Sequence, residues 1–106
     1  MINTITTNKN KYRNKRTSID GIVFASKKEA SRYLCLKSLK KYGEITDFKM
    51  QVPYRFASGV KYILDFEVIG ADGKKTYEDV KGVRTPVYKI KKKLMKHEFG
   101  IDITEV

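Results

Sequence analysis

The chain carries one cysteine and one histidine in 106 residues. Cys35 alone cannot close an intramolecular disulfide, and His97 cannot help it complete a zinc site. A reducing cytoplasm is the simplest compartment for such a chain. Long apolar runs are also missing. None approaches the roughly 20 residues that cross a bilayer, so no spanning helix is expected. The start, Met1-Ile2-Asn3-Thr4-Ile5-Thr6-Thr7-Asn8, has no apolar stretch like that of a secretory signal. There is no internal repeat and no domain linker, and the length leaves little for a second core to bury.

Acidic residues are absent from two segments, and this is the most informative gap. Residues 1–16 hold Lys9, Lys11, Arg13, Lys15 and Arg16 with no acid. Residues 81–97 hold Lys81, Arg84, Lys89, Lys91, Lys92, Lys93 and Lys96, again with no acid. The rest of the chain sums to −1 against +11 for the whole. A near-neutral body with two basic segments favours a polyanion partner.

What is present reads as an ordered series of elements. Residues 1–17 form a basic arm without hydrophobic periodicity, and a single domain is expected over 18–106. Asp20-Gly21, set between β-formers, predicts a small hairpin. Ser26-Lys27-Lys28-Glu29 fits a capping box and opens a helix over about 27–42. Its apolar positions are Ala30, Tyr33, Leu34, Leu36 and Leu39, and Gly43 ends it. Cys35 is expected in the packing of that helix, and His97 at the surface or the edge of the core.

The period then changes to two. Phe48, Met50, Val52, Tyr54 and Phe56 alternate with polar residues, and Pro53 marks an edge or a bulge. A second strand covers 61–69, with Tyr62, Leu64, Phe66 and Val68 on one face and Lys61, Ile63, Asp65 and Glu67 on the other. A third covers about 75–81, with Tyr77, Asp79 and Lys81 on a common face. Thr85-Pro86 starts a second helix, Val87, Ile90, Leu94 and Met95 supply its buried stripe, and Gly100 stops it. Residues 101–106 suit a last strand. This order predicts an α+β domain.

Antiparallel pairing of the second and third strands brings Asp65 towards Asp79, with Lys81 two residues along. Two close carboxylates suit a hard divalent cation that keeps part of its water shell. Such a cation activates water and neutralises a phosphodiester, while a lysine assists the nucleophile. An acid two residues before a lysine is not informative by itself, since Asp47-Phe48-Lys49 and Asp72-Gly73-Lys74 share the pattern. Only Asp79-Val80-Lys81 follows an acid-bearing strand and precedes a basic helix.

Tyr62-Ile63-Leu64-Asp65-Phe66, then Glu78-Asp79-Val80-Lys81-Gly82, behind a helix beginning Ser26-Lys27-Lys28-Glu29-Ala30, resembles the PD-(D/E)XK nuclease superfamily. Within it, the layout over residues 18–106 is similar to small bacteriophage endonucleases of the junction-resolving endonuclease I type. The resemblance implies a restriction-endonuclease-like αβββαβ core, with Asp65 and Asp79 as metal ligands and Lys81 as the catalytic lysine. It also implies Glu29 as an acid joining the site from the first helix and the Val80 carbonyl as a further ligand. Leu64 stands where the superfamily pattern has proline. Glu78 is the neighbouring acid, but alternation puts Asp79, not Glu78, on the face of Lys81.

By that resemblance the protein is a Mg²⁺- or Mn²⁺-dependent endonuclease acting on DNA, branched junctions included. It would work as a homodimer in the cytoplasm of a phage-infected bacterium, without an organic cofactor. Each residue also has a plainer explanation. Asp65 could be a surface acid beside Lys61 or Lys81, and Asp79 with Lys81 an ordinary charge pair. Glu29 is fully explained by the capping box, and Glu67 by surface exposure rather than support of the site. Lys89, Lys91, Lys92, Lys93 and Lys96 could be the wet face of a helix, although five lysines without an acid forgo the usual i,i+4 pairs. The competing function is a non-catalytic basic DNA- or RNA-binding module.

Overall fold

A computed structural model of the chain describes residues 16–81 and 83–106. The described residues fall into two compact units, one up to Cys35 and one from Leu36 onward. The cations Lys9, Lys11, Arg13 and Lys15 of the basic arm lie outside the described residues; Arg16 is exposed.

In the first unit, β1 (Thr17–Ile19) pairs antiparallel with β2 (Ile22–Phe24). The turn residues Asp20 and Gly21 both have positive φ, 55° and 77°, which is the twist a two-residue hairpin needs. The helix α1 (Lys27–Lys41) begins as its sequence predicts, with the Glu29 N–H donating to Ser26 Oγ at 3.1 Å. Tyr33 donates its hydroxyl to Asp20 at 2.8 Å, and its ring packs on Phe24 at 5.1 Å between centroids. One helical residue therefore ties down the hairpin turn and fills space beneath it.

Ala30, Tyr33 and Leu36 are the buried residues of α1, whereas Leu34 and Cys35 are exposed. The placement of Cys35 in the packing is thus corrected. Spacings of three residues put Ala30, Tyr33 and Leu36 on one stripe, and position 35 falls nearly opposite it. At the other end Gly43 takes φ 78°. The Gly43 N–H donates to the Lys40 carbonyl and the Glu44 N–H to the Leu39 carbonyl, a Schellman ending.

The second unit holds a four-stranded sheet in the order β3 (Ile45–Arg55), β4 (Lys61–Gly70), β5 (Lys75–Asp79) and β6 (Ile103–Glu105). The first three form an antiparallel meander, and β6 lies parallel to β5 after the crossover through α2 (Pro86–Phe99). The element order is an α+β arrangement compatible with an αβββαβ core, plus the small hairpin. Pro53 lies in the edge strand β3, where a proline is tolerated. Gln51 has φ 54° between the pairs Met50–Phe66 and Val52–Leu64, a left-handed residue inside a strand.

Thr85 caps α2 by accepting from the Tyr88 N–H, Pro86 occupies its first turn, and Gly100 closes it at φ 70°. The buried stripe, however, is Tyr88 and Met95 rather than Val87 and Ile90, which are each 59% exposed. Tyr88 and Met95 lie seven residues apart on one side and join Phe56, Tyr62, Leu64, Ile101 and Ile103 in a core. Leu94 packs only at the margin of that core. Tyrosine prevails over valine at this site because its ring fills the core while its hydroxyl reaches a carboxylate. The strict alternation expected in β4 also fails. Phe66, Glu67 and Val68 are buried in succession, so the strand is covered on both faces there. Among the described residues no helix is long and apolar enough to cross a membrane.

Candidate functional site

The end of β5 brings a buried carboxylate into a crowded polar setting. Asp79 is 3% exposed. One of its oxygens accepts from the Tyr62 hydroxyl and the other is 3.2 Å from Lys81 Nζ. Lys81 follows Asp79 by two residues beyond the strand, where the Val106 N–H donates to the Asp79 carbonyl and the Lys81 N–H to the Val106 carbonyl. The lysine ammonium also lies 3.9 Å from the centre of the Tyr88 ring. It is held between a carboxylate and an aromatic face.

Asp65 approaches from β4. The antiparallel pairs Phe66–Glu78 and Glu67–Tyr77, continued by one step, set Asp65 across from Asp79. Residues so opposed have Cβ atoms about 5 Å apart. Asp65 Oδ2 accepts from the Val80 N–H at 2.9 Å, and Gln51 Nε2 lies 3.5 Å from Oδ1. The left-handed kink at Gln51 in β3 therefore faces this carboxylate. Such sparsely populated backbone states concentrate at functional sites.

Parallel pairing places Glu105 of β6 beside Asp79 on the opposite flank. Glu105 accepts from Arg84 Nε at 2.7 Å, from the Tyr88 hydroxyl at 2.8 Å and from Lys92 Nζ at 3.1 Å. Hydrogen bonds from Arg84 and then Tyr88, opposed by partial desolvation and reinforced by Lys92, hold its carboxyl down to about 2. Burial chiefly, and then the bond to Asp79, pushes the Tyr62 phenol far up. Burial and the bond to Glu105 raise that of Tyr88. Both tyrosines therefore remain hydroxyl donors throughout the physiological range. Burial, followed by Glu67, pushes Tyr54 up to about 12.

The depressed Glu105 carboxyl makes a pH-dependent contribution to stability. Its charge favours the folded state above the usual value of 4.5 and ceases to do so as pH falls through about 2. In thermal unfolding from about pH 5 to 2, Glu105→Gln is expected to flatten part of the acid decline seen in wild type. Parallel curves for the two proteins would contradict the assignment.

Glu67 is buried at 6% exposure and accepts from the Tyr54 hydroxyl at 3.2 Å. The surface explanation is overturned, because Tyr77 lies directly across from it in β5 and Tyr54 covers it from β3. Glu78, the alternative acid, is also buried, and as the neighbour of Asp79 in β5 it alternates to the other face. Glu29 lies in the first compact unit, half-buried, with the serine part of its capping box formed.

The basic segment after β5 shapes a groove of about 550 Å³. Arg84, Lys89, Lys92, Lys93 and Lys96 line it, with Asp102 and Glu105 as its acids. Helical spacing brings Lys89, Lys92, Lys93 and Lys96 to one side and leaves Lys91 off it. Lys96 pairs with Asp102 at 2.9 Å, while Arg84 and Lys92 share Glu105. The cations of the groove outnumber its acids, so its field favours an anion.

The strand pattern in the sequence points to Asp65, Asp79 and Lys81 but not to Tyr62, Tyr88, Gln51 or Glu105. The available signal was weak. Tyr88 sits three residues after a good cap and seven before Met95, a spacing that marks a buried face as well as Val87 and Ile90 do.

Two carboxylates on adjacent strands are the right chemistry for a hard divalent cation, with water completing its shell. Among the described residues no larger cluster of His, Cys, Asp or Glu gathers to hold a metal. Asp65 and Asp79 offer carboxylate oxygens alone, the donor type of hard cations rather than of zinc, and those oxygens already engage Val80, Gln51, Tyr62 and Lys81.

No curated protein and no solved structure matches the chain. Residues 9–104 match the model of the family described as "Protein of unknown function (DUF1064)". That match reaches into both compact units and includes the paired acids, Lys81 and the basic helix, and on it the chain belongs to the DUF1064 family.

Proposed function

We propose that this protein is a metal-dependent endonuclease of the PD-(D/E)XK type that hydrolyses DNA phosphodiester bonds. The observation that carries the reading is Lys81 Nζ at 3.2 Å from the buried Asp79 carboxylate, with Asp65 set opposite on β4. A buried acid beside a lysine, in contact through Tyr88 with a cationic groove, suits hydrolysis of a polyanion.

In this reading Asp65 and Asp79 hold Mg²⁺ or Mn²⁺. A cation bound there supplies an activated water and neutralises charge on the phosphate. Lys81 holds its ammonium beside Asp79, where it donates hydrogen bonds to the attacking water or to a phosphate oxygen. Tyr62 fixes the orientation of Asp79 by donating to it. Lys89, Lys93 and their neighbours hold the backbone on either side of the cut. Branched DNA as substrate, two chains cutting in concert and a phage-infected bacterial cytoplasm belong to the same proposal and follow from the resemblance.

The test incubates the protein with four-way junction, single-stranded and linear duplex DNA, with Mg²⁺, with Mn²⁺ and with EDTA. Cutting of at least one substrate is expected with metal and none with EDTA. Lys81→Ala is expected to lower the rate about 10²- to 10⁴-fold, the range for a positioned proton-handling group. Binding that is indifferent to EDTA, with no cutting of any substrate, would support the non-catalytic nucleic-acid-binding module instead.

A further inference from the structure

Lysine has a long, flexible side chain, and a catalytic ammonium has to be kept in one place. The contacts of the Lys81 ammonium include groups from two different elements. Asp79 of β5 lies 3.2 Å away, and the Tyr88 ring of α2 has its centre at 3.9 Å. The second distance is well inside the roughly 6 Å over which an aromatic face attracts a cation.

The Tyr88 ring is itself immobilised. It is 6% exposed, packed in the core with Leu64, Met95 and Ile103. Its backbone N–H donates to Thr85 Oγ1 at 3.1 Å, which fixes the first turn of α2. Its hydroxyl donates to Glu105, and Arg84 and Lys92 hold that carboxylate from the groove. A continuous set of contacts therefore runs from Asp79 through Lys81 and Tyr88 to Glu105 and the groove cations.

We propose that Tyr88 is a positioning residue for Lys81, its aromatic face holding the ammonium against Asp79 while Glu105 fixes the plane of the ring. The proposal rests on the reading of Lys81 as the catalytic lysine. It assigns the start of the basic helix a part in the chemistry as well as in binding. The ring face does the positioning and the hydroxyl orients the ring, so the two contributions can be separated by substitution.

Tyr88→Phe keeps the face and loses the bond to Glu105, whereas Tyr88→Leu and Tyr88→Met remove the face. The first readout is free of substrate. Stacking over a ring moves the Lys81 ε-methylene proton resonances upfield. That displacement is expected in wild type and Tyr88→Phe, in EDTA and without DNA, and is expected to vanish in Tyr88→Leu and Tyr88→Met. The second readout is kinetic. The two aliphatic variants are expected to lose about tenfold in kcat with KM for DNA little changed, and Tyr88→Phe to recover most of the loss.

Thermal unfolding identifies any variant that fails to fold, and the wild-type and Tyr88→Phe spectra do not depend on the aliphatic variants. An undisplaced Lys81 resonance in wild type overturns the proposal. So does an unchanged kcat in folded Tyr88→Leu and Tyr88→Met when Lys81→Ala is inactive. A wild-type protein inert towards every DNA overturns the endonuclease reading, and with it the catalytic role of Tyr88, even where the spectra show the stacked lysine.

Discussion

Asp79→Asn is expected to lower metal-dependent DNA cleavage by about 10³-fold, since several kcal/mol of transition-state stabilisation are at stake and each 1.36 kcal/mol is tenfold. Asparagine keeps the size of the side chain and an oxygen able to accept from Tyr62, so the fold around it should persist. What it removes is the charge that, in the proposed mechanism, holds the cation and anchors the Lys81 ammonium at 3.2 Å. Affinity for DNA in EDTA should be no weaker than that of wild type, because a carboxylate near phosphates opposes binding. The measurement is single-turnover cleavage of a labelled oligonucleotide, alongside anisotropy binding in EDTA. Cleavage within a few-fold of wild type would remove Asp79 from the mechanism. Loss of cleavage together with loss of cooperative unfolding would show that Asp79 acts on the fold instead.

Leu64→Ala is expected to have the largest effect on stability, about 2–5 kcal/mol. Leu64 is fully buried and belongs to the core shared by Tyr62, Tyr88 and Met95. For a chain of this length such a loss lowers Tm by roughly 10–30 °C, which calorimetry or thermal circular dichroism would read directly. The consequence extends to the site, since Asp65 is the next residue along β4 and Tyr88 packs in the same cluster. A change of only a few degrees would mean that the sheet and α2 are not joined through this core.

The same two regions show how far local sequence chemistry reaches. The hairpin turn at Asp20-Gly21, the serine cap of α1, the threonine cap and early proline of α2, and the glycines closing both helices were legible. Each depends on a few adjacent residues whose side chains either satisfy a free backbone group or permit positive φ. The place of Pro53 on an edge strand was legible for the same reason: a missing N–H is a local property.

Side-chain burial was less legible wherever two candidate stripes competed. On α2, Val87 and Ile90 look more hydrophobic than Tyr88, yet both are exposed and Tyr88 is buried. A tyrosine hydroxyl with a carboxylate partner 17 positions away makes that burial favourable, and no short window reveals such a partner. Glu67 follows the same logic, being buried because Tyr54 reaches it from another strand. Cys35 erred in the other direction: an apolar neighbourhood in sequence became the outer side of a helix in space.

Short-range patterns thus suffice for the α+β order of elements, for both helix boundaries to within a residue or so, for the concentration of positive charge after β5, and for the candidate set Asp65, Asp79 and Lys81. These follow from periodicity, capping and charge counting, all of which act over short distances along the chain. Three-dimensional packing sets the rest: Lys81 lies between Asp79 and the Tyr88 ring, Glu105 gathers Arg84, Tyr88 and Lys92, and Lys89, Lys92, Lys93 and Lys96 line a groove. Those contacts depend on strand register and on the rotation of α2 about its axis. Packing sets both, and packing is a property of the whole unit rather than of any segment within it.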